Sequence, residues 1–146
     1  MTIQARQILV ITTLIGLPPL ATATSIAPLD PNIFTQGHYQ EHAWVSGGFG
    51  THERELLSQH FGQDYNLKLE FARVDGHYLA NVAVTIMNGR GKPVLSAPSP
   101  GPWFLADLPA GHYRVIASAD ERTFERPVSI PEQGSRTLIF NNWRRD

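Results

Sequence analysis

Gly101-Pro102-Trp103-Phe104-Leu105-Ala106-Asp107-Leu108-Pro109-Ala110-Gly111-His112-Tyr113-Arg114-Val115 is the stretch from which the fold is read. Trp103 to Leu108 is apolar except for Asp107, short enough for a strand and too short for a stable helix. Pro109-Ala110-Gly111 is turn chemistry: Pro presets φ and Gly tolerates φ values that other residues avoid. Beyond the turn, Tyr113, Val115 and Ala117 recur every second residue, so one face of a new strand is apolar. The stretch therefore predicts strand, tight turn, strand, with Leu108 carried into the core.

The same period of two extends in both directions. Upstream, Tyr65, Leu67, Leu69 and Phe71 point one way and Asn66, Lys68 and Glu70 the other. Val82, Val84 and Ile86 alternate in a second strand, closed by the turn Asn88-Gly89-Arg90-Gly91. Residues 92–97 form a short third strand, and Pro98, Pro100 and Pro102 confine residues 98–102 to an edge or a loop. Downstream, Phe124, Val128 and Ile130 mark a sixth strand and Arg136 to Asn142 a seventh. Between the Gly-rich turn at residues 46–50 and Gly62, Leu56, Leu57 and Phe61 share a helical face. Thr51 is placed to cap that helix, with Glu53 and Glu55 in its first turn. The expectation is a mostly β chain: a seven-stranded antiparallel β-sandwich with one short N-terminal helix.

The segment Leu108-Pro109-Ala110-Gly111-His112-Tyr113-Arg114-Val115 resembles the Leu-Pro-x-Gly-x-Tyr-x-Val signature of carboxypeptidase regulatory-like domains, which have a transthyretin-like (prealbumin-like) fold. Val82-Ala83-Val84-Thr85-Ile86 followed by Gly91-Lys92-Pro93-Val94 is similar to the strand and turn before that signature. The stretch from Tyr39 to Trp143 also looks like a group of small exported bacterial proteins of this type. The resemblance implies the sandwich and a supporting or adhesive role. It carries over no catalytic residue.

Composition narrows the rest. A chain of 146 residues suits one domain. With 12 Lys and Arg, 13 Asp and Glu and a formal charge of -1, there is no basic footprint for nucleic acid. The absence of cysteine excludes disulfides, thiolate metal sites and cysteine nucleophiles. Arg6, the uncharged run Ile8 to Leu17 and the small residues Ala21-Thr22-Ala23 have the three-part layout of a secretory signal peptide. That run falls short of the roughly 20 residues of a membrane span. Cleavage is expected after Ala23, with Ala27 as the alternative. The expected organisation is a signal peptide at 1–23, a flexible lead-in at 24–44, a Gly-rich turn and short helix at 45–63, and the sandwich at 64–143. No membrane span is expected after cleavage, and the location is periplasmic or secreted. Removal of Arg6 would leave 11 basic against 13 acidic side chains, a formal charge of -2.

Chemical candidates are few. The histidines are His38, His42, His52, His60, His77 and His112. His38 and His42 are four apart, but Gly37 and the Pro-containing lead-in disfavour the helix that would align them. His52 and His60 lie two turns apart on the expected helix. No Gly-x-Ser-x-Gly elbow is present for nucleophilic catalysis. Gly47-Gly48-Phe49-Gly50-Thr51 before a helix is nest-like, but no phosphate-loop lysine accompanies it. Trp44, Trp103 and Trp143 are the candidate binding residues, because aromatic side chains supply large contact area at low entropy cost; their alternative role is packing the helix and termini onto the sandwich. No metal, cofactor or catalytic residue is assigned. The expected function is an exported, non-enzymatic module that binds a partner protein or an envelope polymer. The alternative is a small periplasmic enzyme or metal-binding protein using the histidines.

Overall fold

The computed structural model describes residues 15–17, 19 and 25–144. The segment expected to be a signal peptide lies largely outside the described residues, and the cleavage site expected after Ala23 lies wholly outside them. The elements are β1 (Thr35–Tyr39), β2 (His42–Gly47), α1 (Thr51–His60), β3 (Leu67–Arg73), β4 (Val82–Asn88), β5 (Pro93–Ser99), β6 (Trp103–Ala106), β7 (Gly111–Ala119), β8 (Arg122–Ile130) and β9 (Arg136–Trp143). They form two sheets, ordered β1-β2-β6-β3-β9 and β5-β4-β7-β8. Every pairing is antiparallel except β3 with β9. Among the described residues no helix is long and apolar enough to cross a membrane.

The described strands number nine, where seven were expected. The two additional ones, β1 and β2, lie largely in the segment read as a flexible lead-in. The reason is physical. β2 is covered on both faces: Trp44 belongs to the core between the sheets, and Val45 to a second cluster beneath α1. A doubly covered strand loses the alternation that marks a half-exposed one. β1 is a short edge strand of mostly exposed residues and has no apolar pattern to read.

The alternation that was legible has the expected sense. Leu67, Leu69 and Phe71 of β3 are buried, as are Val82, Val84 and Ile86 of β4. Together with Phe104, Val115, Phe140 and Trp143 they fill the space between the sheets. The prolines Pro93, Pro98 and Pro127 lie on β5 and β8, the two edge strands of the second sheet, where a missing N–H is tolerated.

The outer face of the first sheet is closed by a third layer. Leu57 of α1 is fully buried with Leu29, Phe34, Val45, Trp103 and Leu105. The helix is capped by Gly50 in place of the expected Thr51. The Gly50 N–H donates to Glu53 Oε2 at 3.1 Å, so the acidic first turn does the capping.

Two polar devices fix the sheets. Ser46 of β2 and Ser99 of β5 are buried with their hydroxyls 2.9 Å apart. Ser99 donates to the Gly101 carbonyl and Ser46 accepts from the Gly101 N–H, so every member of the bridge is paired. Gly101 permits this approach: a Cβ there would lie 2.3 Å from the Gly47 carbonyl oxygen. At the other end, the Asn66 side chain bonds both backbone groups of Leu108 and holds the Leu-Pro turn against the body.

Candidate functional site

The three tryptophans put forward as a contact surface are in the interior, at 9% (Trp44), 8% (Trp103) and 0% (Trp143) exposure. This corrects their assignment as binding residues. Trp44 stacks on Phe104 with centroids 5.6 Å apart and planes 12° from parallel. Trp143 meets Phe124 edge-on at 4.7 Å and donates its Nε1–H to the Ala119 carbonyl at 3.0 Å. Trp103 lies in the layer under α1, with Lys68 Nζ 4.2 Å above its ring. Each fills volume where two layers meet, which is where large aromatic side chains gain most from burial. The exposed aromatics are instead Phe49, at 62%, and Tyr78, at 53%. Arg54 links their loops: its guanidinium sits 5.1 Å from the Tyr78 ring and donates to the Gly48 carbonyl at 2.9 Å.

The histidines are dispersed. His38, His52, His77 and His112 are not buried, whereas His42 and His60 are. Among the described residues no three His, Cys, Asp or Glu side chains are placed to hold a metal ion. His60 is the most constrained: Nδ1 is 2.6 Å from Asp64 Oδ2 and Nε2 is 2.8 Å from the Ala27 carbonyl. It ties the segment before β1 to the end of α1. A recess of about 300 Å³ lies beside it, lined by His38, Asp64 and Tyr65 among others. Burial raises the Tyr65 pKa above the ordinary phenol value, reinforced by the charges of Asp64 and Asp107.

The larger concavity is on the second sheet, on the face turned away from the core. Strand register builds it. Thr85 of β4, Ile116 of β7 and Glu125 of β8 are cross-strand neighbours, and so are Met87, Arg114 and Pro127 in the next row. Because side chains alternate along each strand, the residues between Val115 and Ala117 and on either side of Ile86 point outward. The result is a groove of about 460 Å³ with Met87, Ile116 and Pro127 contributing apolar surface. Arg114 and Glu125 stand over it, Nη1 to Oε2 3.7 Å. His112 closes one end, its Nδ1 2.7 Å from Ser129 Oγ. The β4–β5 turn, through Asn88, Gly89 and Gly91, completes that end.

Apolar residues on the outward parity of the strands, Met87 and Ile116 among them, were the available signal. Ile116 falls between Arg114 and Ser118, and Met87 comes after Thr85 on the outward parity of β4. The sequence expectation rested on the inward parity and passed over both. Compared with protein-family models and with curated proteins, the chain matches none.

Proposed function

We propose that this chain is an exported, non-enzymatic binding module of the carboxypeptidase regulatory-like kind, which docks a partner protein or an envelope polymer on the open face of its second sheet. One observation carries the reading: the asymmetry of the two outer faces. The first sheet is closed by α1 and by Leu29 and Phe34. Among the described residues, the second keeps a groove with apolar residues in it and no element laid across it. A groove of this kind, apolar within and ringed by a few polar groups, is the usual form of a recognition site. The family resemblance around Leu108 to Val115 supports the same role, since those domains mostly bind or support other proteins.

The test is retention of envelope components by the immobilised chain and by its Ile116→Arg variant. The expected result is specific retention by the wild type and loss in the variant, with unchanged circular dichroism and melting. Equal retention by both would refute the role of this face.

A further inference from the structure

We propose that the groove on the second sheet takes an acidic peptide segment of a partner protein, with aliphatic side chains on Met87 and Ile116 and carboxylates toward the β4–β5 turn. This rests on the binding role proposed above for the same face. The formal charge of -1 for the whole chain conceals a local excess of cations. Arg90 and Lys92 are exposed in the β4–β5 turn, and neither takes part in an ion pair among the described residues. Arg114 is 65% exposed and meets Glu125 only at 3.7 Å, so its guanidinium retains donors for a second carboxylate. Among the described residues, Glu125 is the one carboxylate lining the groove. Arg90 and Lys92 are not themselves lining residues but adjoin Gly89 and Gly91, which are; Glu132, in the turn between β8 and β9, is not a lining residue either.

The backbone of the turn that carries Arg90 and Lys92 is held in place. Asn88 Oδ1 accepts from the backbone N–H groups of Arg90, at 2.9 Å, and Lys92, at 3.0 Å. The Gly91 N–H donates to the Asn88 carbonyl at 3.0 Å, with Gly91 at φ 74. The turn is thus ordered before any ligand arrives, which lowers the entropy lost on binding. The apolar part of the groove favours a peptide over an anionic polysaccharide, whose ring C–H faces offer Met87 and Ile116 less apolar surface than aliphatic side chains do. Basic groups at one end and apolar ones on the floor call for an occupant with the complementary pattern.

The experiment is an NMR titration of the purified chain with the blocked peptide Glu-Leu-Glu-Ile-Glu, its lysine counterpart Lys-Leu-Lys-Ile-Lys, and polygalacturonate. The expected result is shifts at the Met87 and Ile116 methyls. The acidic peptide should bind at least fivefold more tightly than the basic one at low salt, and that preference should vanish in Arg114→Glu. The paired variant Arg90→Glu and Lys92→Glu, confined to an exposed turn, serves if Arg114→Glu disturbs the spectrum. Equal affinity for the two peptides, shifts centred elsewhere, or polygalacturonate binding as well as the acidic peptide would overturn the proposal. If Ile116→Arg abolishes envelope retention while the acidic peptide fails to bind, the binding face stands and the acidic-peptide assignment falls.

Discussion

The Asn66 side-chain amide closes a two-bond ring with the backbone of Leu108, donating to its carbonyl at 2.7 Å and accepting from its N–H at 3.0 Å. The two residues are 42 positions apart. Leu108 is buried, so its groups have little access to water as an alternative. Replacing Asn66 by Ala removes both bonds at once and is expected to cost about 1–3 kcal/mol. Urea denaturation checks this, and an effect below about 0.5 kcal/mol would show that the turn is held by other means.

Trp103 and Trp143 differ in one atom's surroundings. Trp143 Nε1 has its carbonyl partner, whereas Trp103 Nε1 is buried with none among the described residues. Trp143→Phe leaves the Ala119 carbonyl without its donor and is expected to destabilise by about 1–3 kcal/mol. In Trp103→Phe, relief of the unpaired N–H offsets part of the lost packing, so the cost should be smaller. Parallel thermal melts of the two variants decide the order.

Lys68 shows where alternation misleads. By parity it belongs to the outward set of β3, where substitutions are expected to be cheap. The structure sets it under the third layer, over the rings of Trp103 and Phe61 and 3.3 Å from Glu70. Lys68→Ala is therefore expected to cost about 1 kcal/mol, more than an exposed lysine would. Leu69→Ala, on the inward parity, should cost about 2–5 kcal/mol. A chemical denaturation series reads both.

Alkaline pH should weaken the fold through Tyr65 and Tyr113. Burial raises both phenols, with Asp64 and Asp107 adding to the effect at Tyr65. Near neutrality both rings keep their protons in the folded and unfolded chains, so neither makes stability depend on pH there. Above about pH 10 the unfolded chain ionises first. Stability is then lost as pH rises through the folded phenols' range. Absorbance at the phenolate band should show two late-titrating tyrosines, and Tyr65→Phe should remove one and soften the decline in melting temperature.

Solvent contrast decides which elements are legible in the sequence. Strands that alternate buried apolar with less buried residues, such as β3 and β4, announce themselves through Leu67-Leu69-Phe71 and Val82-Val84-Ile86. β2, dry on both sides, does not, and neither does the polar edge β1. The turn at Pro109 to Gly111 was legible because its residues have few other uses; Tyr113 also clamps it, donating to the Pro109 carbonyl at 2.6 Å. The groove was not legible, because it depends on which outward residues of three strands fall in the same rows. That registry, Thr85 with Ile116 with Glu125, is a property of pairing and not of any one segment. The tryptophans misled for a related reason: an aromatic residue reads alike whether it faces solvent or a second layer.

The central claim is that the open face of the second sheet is the recognition surface. Site-specific photo-crosslinking in the producing cells tests it most directly, with a benzophenone side chain placed at position 116 in the groove or at position 59 on the exposed side of α1. The account predicts a discrete adduct from position 116 and none from position 59. An adduct from position 59 alone, or the same adduct from both, would contradict it.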